Sequence, residues 1–207
     1  KMNKLKNKII NIINLKKKFI TLEKFIQISM YDRKYGYYRN RIPIGKNNDF
    51  ITSPEITQLF GEMIGLYIID YWKKNLKKEF NLIELGPGKG TLINDLINIS
   101  KKFPNYLKHL NISMFEINKE LIKIQKKNLK KNTNKINNLN WIDDLNNLTN
   151  KDTVFIANEF FDCLPIKQYF KKNNDWYEKF IIYSKNNKSL TNINIKTSDI
   201  RILDELN

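Results

Sequence analysis

The sequence predicts an α/β fold built on a mostly parallel sheet, entered from an N-terminal arm of helices and a hairpin. Three observations predict it. From Phe80 onward, short apolar runs alternate with amphipathic ones in the order strand, helix, strand, helix, strand. A glycine-rich turn, GPGKG, joins the first of these strands to its helix. Residues before about 78 show no such alternation, so the expected division is an arm over 1–78 and a core over 79–207. With 207 residues and 41% hydrophobic content, the chain carries enough apolar side chain to bury a core.

In the arm, Leu5, Ile9, Ile12 and Ile13 fit one helical stripe, and Thr21 is placed to cap a second helix through Met30. YGYYRNRIPIGKNNDFITSP, rich in aromatics, Gly and Asn, reads as a hairpin or an ordered loop. A long helix is expected from Ser53, its N-cap, with Pro54 in the first turn, to about Leu76. Its Ile56, Leu59, Phe60, Met63, Ile64, Tyr67, Ile68, Tyr71 and Trp72 recur at helical spacing and are expected in the core. Next come FNLIELG as a buried strand, TLINDLINISKK as a helix, NISMFEIN as a strand, KELIKIQKKNL as a helix and DTVFIANEF as a strand. The Asn- and Lys-rich segment from Lys130 to Asn140 reads as a surface loop. After Pro165, two aromatic-rich runs around KKNND predict a hairpin, followed by a short acidic tail.

Composition removes several function classes. The formal net charge of +16 rests on 37 Lys+Arg against 21 Asp+Glu, but Arg occurs only at 33, 39, 41 and 201. Abundant Lys, Asn and Ile together reflect A/T-rich codons filling surface positions, whereas a nucleic-acid reader concentrates Arg with aromatics on one face. The charge therefore argues against a dedicated nucleic-acid role. One cysteine, Cys163, and one histidine, His109, cannot supply a zinc site or a disulfide framework, so no metal is expected and the expected compartment is reducing. No apolar run approaches the ~20 residues of a membrane-spanning helix. Lys1 to Phe19 is basic and acid-free but lacks the Arg and Ser of an organelle presequence. A cytoplasmic location is expected, with the mitochondrial matrix as the alternative.

The glycine turn falls where open α/β sheets bind ligands, outside the carboxyl end of a strand and at the start of a helix. Gly86, Gly88 and Gly90 give G-x-G-x-G, one residue shorter than the dinucleotide fingerprint, and the phosphate-binding G-x-x-x-x-G-K-[ST] pattern cannot be laid over GPGKGT. Glycines there let backbone N–H groups approach a ligand, and the helix N-terminus favours a carboxylate. Glu84 precedes the turn and can anchor the loop or meet a cationic amine, and Glu116, at the end of the next strand, can accept both hydroxyls of a ribose. Ribose, ammonium and carboxylate are the parts of S-adenosylmethionine, which is the expected cofactor. The polar helix entry ITSPEITQ places Thr52, Ser53, Glu55 and Gln58 as further expected cofactor contacts.

ITLEKFIQISMYDRKYGYY, DFITSPEITQLFGE, LIELGPGKGTL and ANEFFDCLPIKQY resemble, in order and spacing, the MidA family of S-adenosylmethionine-dependent methyltransferases. The resemblance covers about residues 20 to 180, and its second and fourth segments are more family-specific than the glycine motif. It implies a Rossmann-like class I methyltransferase core of seven strands, with the N-terminal arm over the cofactor. It also implies methylation of an arginine on a protein partner; mitochondrial members of the family are complex I assembly factors. Two local departures stand out: Asn48 where the family carries a Gly, and Lys18-Phe19 where it carries Gly-Pro. Asn tolerates a positive φ, which makes the first change mild. Family chains continue well past the equivalent of Asn207, so this chain reads as truncated at the C-terminus, either a fragment or a reduced form.

Methyl transfer is an in-line displacement, for which an enzyme supplies mainly alignment. Asn158, Glu159, Phe160, Phe161 and Asp162 follow the strand VFIA on the same edge as the glycine turn. For the guanidinium that the resemblance implies, Glu159 and Asp162 are the expected catalytic-side groups, holding the substrate by charge-assisted hydrogen bonds. Asn158 is expected beside the cofactor, and Phe160 and Phe161 are expected to wall the cleft. The competing reading of this block is a polar strand end with two core aromatics. NEFF lacks the prolines of the [DNS]-P-P-[FY] motif found in enzymes that methylate base amino groups. Asp143 and Asp144 fall where this fold contacts an adenine amino group, a solvated turn being the alternative. Two further functions remain: an assembly module that binds cofactor without turnover, and an RNA methyltransferase resting on charge alone.

Overall fold

The structure, a computed structural model, describes residues 2–16, 18–45, 48–132, 136, 138–146, 148 and 151–197. The acidic tail and part of the segment read as a loop after Lys130 lie outside the described residues. The chain forms two compact units, Arg41–Asp162 and Lys1–Asn40 with Cys163–Asn207, so residues 41–78 group with the sheet that follows them.

The second of these units begins with α1 (Met2–Leu15), β1 (Phe19–Thr21), α2 (Leu22–Tyr31) and α3 (Tyr37–Asn40). Ile9 and Ile13 of α1 are buried with Ile20, Ile28 and Ile181, while the lysines of α1 stay at the surface. Thr21 caps α2 by accepting from Lys24 N–H at 3.1 Å, and Asp32 ends it by accepting from the N–H groups of Lys34 and Tyr35, each at 3.0 Å. Lys18 has a left-handed backbone, φ 68°, at a position where the resemblance calls for Gly-Pro. A side chain in that conformation costs about 1–2 kcal/mol. Lys18→Gly is therefore expected to raise stability by about 1 kcal/mol in urea unfolding. Asn48 needs no such backbone: it is absent from the positive-φ residues and instead donates its side-chain amide to the Ile44 carbonyl at 2.9 Å.

The Arg41–Asp162 unit carries the single turn α4 (Ser53–Ile56), α5 (Gln58–Tyr71) and a π-helical turn, Trp72–Leu76. It continues with β2 (Phe80–Leu85), α6 (Thr91–Ser100), α7 (Pro104–His109), β3 (Leu110–Phe115), α8 (Lys119–Leu129), β4 (Asn138–Ile142) and β5 (Thr153–Ile156). All strand pairs are parallel, in the order β4-β3-β2-β5. The chain builds β2, β3 and β4 outward to one side and then returns to place β5 against the other edge of β2. That reversal opens a crevice outside the carboxyl ends of β2 and β5.

The expected long helix is broken. Thr52, not Ser53, occupies the cap position, and its side chain makes no capping bond; Thr57 is extended at φ −150° and starts α5 by accepting from Leu59 N–H at 3.3 Å. The expected burial also fails along one face. Ile68, Ile69 and Trp72 enter the core with Phe60 and Ile64 against it, but Ile56, Leu59, Met63, Tyr67 and Tyr71 are exposed. Apolar spacing shows that a stripe exists; its width exceeds what the contact with α6 covers.

β4 and α7 were not expected. Leu139 and Trp141 pack on the core, but Asn138 and Asn140 alternate with them and dilute the strand signal, so 138–140 had read as loop.

The remaining strands, β6 (Tyr169–Lys172), β7 (Asp175–Ser184) and β8 (Ser189–Lys196), complete the unit that holds α1, β1, α2 and α3. β7 pairs antiparallel with β6 and β1, and with β8 along Tyr177–Ser184. The expected hairpin at KKNND is β6–β7, turning on Asn173 and Asn174, whose φ values of 47° and 63° suit a two-residue type I′ turn. β8 was not expected. Among the described residues, no helix is long and apolar enough to cross a membrane, and no cluster of His, Cys, Asp or Glu is arranged to hold a metal ion.

Candidate cofactor site

The parallel sheet brings the sequence-predicted residues to one edge because each follows a strand in the same direction. Glu84 is the penultimate residue of β2, the glycines follow it, Glu116 follows β3, Asp143 follows β4, and Asn158 with Glu159 follow β5. The glycine turn is closed by Gly86 N–H donating to Phe115 O at 3.1 Å and Gly90 N–H donating to Pro87 O at 2.7 Å. Gly86 and Gly88 have φ of 67° and 54°, and a Cβ on them would lie 2.8 Å from Phe160 Cδ2 and 2.9 Å from Ile44 Cδ1. Both the left-handed backbone and the close approach require glycine there.

Two buried carboxyls stand at this edge. Glu84 is 3% exposed, its Oε2 has no hydrogen-bond partner, and burial, with the Glu116 charge added, pushes its carboxyl up to about 8. Such an orphaned buried oxygen costs free energy unless a donor arrives. Glu116 is also raised by burial, but it is held: Asn118 N–H donates to its Oε1 at 2.8 Å and the Gln125 amide to its Oε2 at 3.3 Å. Each carboxylate oxygen retains a lone pair for a further donor. A cationic amine at Glu84 and a diol at Glu116 fit these vacant acceptors.

The polar entry divides. Glu55 accepts from the Thr91 hydroxyl and pairs with Lys89 at 3.3 Å, so it anchors to the glycine turn and the start of α6. Thr52 and Ser53, at the cap and first position of the same single turn, are partly buried. Gln58 is exposed and donates to Glu62 on its own helix at 2.7 Å. Glu55→Ala is expected to lower stability by about 1 kcal/mol, read by thermal unfolding, since it removes a partly exposed ion pair and one hydroxyl bond.

On the substrate side, Phe160 packs against Phe115, ring centroids 6.2 Å apart, and against Phe161 at 5.8 Å. Glu159 and Asp162 are exposed, Asp162 within a 3-10 turn (Phe161–Cys163). Glu159 has a φ of 49°, a conformation that costs a non-glycine residue about 1–2 kcal/mol and gathers at functional sites. Asp143 is exposed, and Asp144 accepts from the Asn146 N–H at 2.9 Å in a local turn.

Sequence reading missed Gln125, Asn118 and Ile44. Gln125 was visible in principle, as the one polar member of the buried series Leu121, Gln125, Leu129. Asn118 caps α8, holds Glu116 and donates to Arg41 O at 2.7 Å.

A switch-point crevice with a glycine turn on the first strand and a buried acid after the second defines a Rossmann-like protein of the kind that binds a nucleoside-containing cofactor. The chain belongs to the family described as "Putative S-adenosyl-L-methionine-dependent methyltransferase", which it matches over residues 63–204. Among curated relatives it is 34% identical over 182 residues to the mitochondrial protein arginine methyltransferase NDUFAF7 of Bos taurus, covering 78% of this chain and 41% of that one. It is 33% identical over 186 residues to the NDUFAF7 homolog of Caenorhabditis elegans, covering 80% of this chain and 43% of the relative. The chain thus spans about two fifths of the length of these relatives. In fold it is similar to a COG1565 superfamily member from Burkholderia thailandensis crystallised with S-adenosyl-homocysteine. The TM-score is 0.82 at 18% identity, over 99% of this chain and 52% of that one.

Proposed function

We propose that the carboxyl edge of the β2–β5 sheet binds S-adenosylmethionine and serves methylation of an arginine on a protein partner, in support of respiratory complex assembly. The observation that carries this reading is the unpartnered, buried Glu84 oxygen beside a glycine turn, with Glu116 at the neighbouring strand end. Glu84 receives the amine, the N-terminal end of α6 faces the carboxylate, Glu116 takes the ribose and Asp143 the adenine amino group. The cofactor supplies an electrophilic methyl group. Glu159 and Asp162 orient a guanidinium toward it, and Phe160 and Phe161 exclude water. The NDUFAF7 relatives are named as mitochondrial, which supports the matrix alternative for location.

Calorimetry with S-adenosylmethionine, S-adenosylhomocysteine, NAD and ATP tests the cofactor; tighter binding of NAD or ATP overturns it. Tritiated methyl transfer onto proteins of the same source, by this chain and by a chain of the relatives' length, tests the substrate. Glu159→Gln is expected to leave cofactor affinity unchanged while lowering labelling at least tenfold. The exposed charge alone is worth about 0–1 kcal/mol, rising toward about 3–5 kcal/mol when a docked substrate excludes water. Equal labelling by variant and parent removes Glu159 from the mechanism. The exposure of both carboxylates also favours a second reading, a cofactor-binding assembly module without turnover, expressed as tight cofactor binding with no labelling by either form.

A further inference from the structure

Gln125 is fully buried on α8, yet every polar atom of its amide is engaged with the candidate site. Its Nε2 donates to Gly88 O at 2.7 Å, inside the glycine turn, and to Glu116 Oε2 at 3.3 Å, at the end of the next strand. Its Oε1 accepts from the Trp141 indole N–H at 2.8 Å, on the strand after that. The stem of Gln125 also packs where a Cβ on Gly90 would stand, at 3.4 Å. One amide thus ties together the carboxyl ends of β2, β3 and β4. A core position of this kind is filled most cheaply by Leu or Met, and a buried amide persists only when all its hydrogen bonds are met.

We infer that Gln125 is a positioning residue that holds the Gly88 peptide and the Glu116 carboxylate at the separation one ligand needs to engage both. The inference rests on the cofactor reading above. Its physical basis is that a ligand with two recognised ends gains from their linkage only when the two subsites keep a fixed separation. Adenosine engages the Glu116 side alone; S-adenosylhomocysteine engages both. The advantage of the second ligand over the first therefore measures the strut, whereas a general loss of stability weakens both ligands together.

The test is calorimetry of the whole chain with adenosine and with S-adenosylhomocysteine, for the parent, Gln125→Met, Gln125→Glu and Leu121→Ala. Leu121→Ala is the control, a cavity on the same buried face of α8 at a residue whose apolar side chain makes no hydrogen bond. Gln125→Met keeps volume and removes all three bonds. Gln125→Glu retains an acceptor for Trp141 but, protonated beside Glu116, has at most one donor for Gly88 O and Glu116 where the amide engages both. Both are expected to reduce the preference for S-adenosylhomocysteine over adenosine by roughly tenfold to a hundredfold, the effect typical of residues that hold a binding group in place. Leu121→Ala is expected to lower thermal stability and leave that preference intact. An unchanged preference in both Gln125 variants overturns the positioning role and leaves Gln125 as packing. If the parent binds neither ligand, the cofactor reading falls, and the role assigned to Gln125 falls with it. If one variant does not fold, the preference measured in the other decides.

Discussion

Affinity for S-adenosylhomocysteine is expected to rise as pH increases from about 6 to about 8, by up to about tenfold per unit, and to level off above that; in Glu84→Gln it is expected to be flat. The cause is the Glu84 carboxyl, which burial, reinforced by the Glu116 charge, pushes up to about 8. A ligand ammonium is best met by the ionised form, so binding below that pH releases the proton Glu84 holds. At pH 8 the variant loses a charge-assisted bond worth about 1.5–3 kcal/mol, or roughly ten- to a hundredfold in affinity. The unliganded chain responds in the opposite sense. Between the ordinary value of 4.5 and about 8, the folded state retains a proton that the unfolded chain has released. The stability from this group is thus fully present below about 4.5 and is lost as pH rises through the window. Glu84→Gln removes that loss, so urea unfolding at pH 8.5 should find the variant more stable than the parent, by up to about 5 kcal/mol, with the two converging near pH 4.5. Parallel pH slopes for parent and variant would show that Glu84 does not meet the ligand amine.

Gly86→Ala is expected to abolish cofactor binding and to destabilise the chain by about 2–5 kcal/mol, adding about 1–2 for the left-handed backbone to about 1–3 for overpacking. The added methyl would stand 2.8 Å from Phe160 Cδ2, and that ring is itself set against Phe115 and Phe161, so it has little room to yield. Gly88→Ala follows closely, its methyl meeting Ile44 Cδ1 at 2.9 Å. Gly90→Ala is expected to be the mildest, since its nearest neighbours are Met114 Cε at 3.3 Å and Gln125 Cγ at 3.4 Å, ends and stems of unbranched side chains. Thermal melts and S-adenosylhomocysteine titrations of the three variants read this ranking. A Gly90→Ala effect exceeding that of Gly86→Ala contradicts it.

Much of this was written locally. The βα alternation, the G-x-G-x-G turn and the acids at 84 and 116 fix a parallel sheet with a crevice, because strand burial, glycine backbone freedom and strand-end placement are all short-range consequences of residue type. The hairpin at Asn173-Asn174 is legible for the same reason: the turn type is selected by the two residues that occupy it. The tertiary structure alone decided the rest. Whether Tyr67 and Tyr71 are core or surface depends on how much of α5 its neighbour covers, and no spacing rule contains that width. Glu55 meets Lys89 and Thr91 because chain folding brought together residues more than a helix apart. Gln125 acquired its role the same way: on its own helix it is one polar residue between Leu121 and Leu129, and only the packing of α8 across three strand ends gives its amide three partners. Sequence determines what each segment can be at short range; which polar groups meet is set by long-range contacts whose geometry no local pattern encodes.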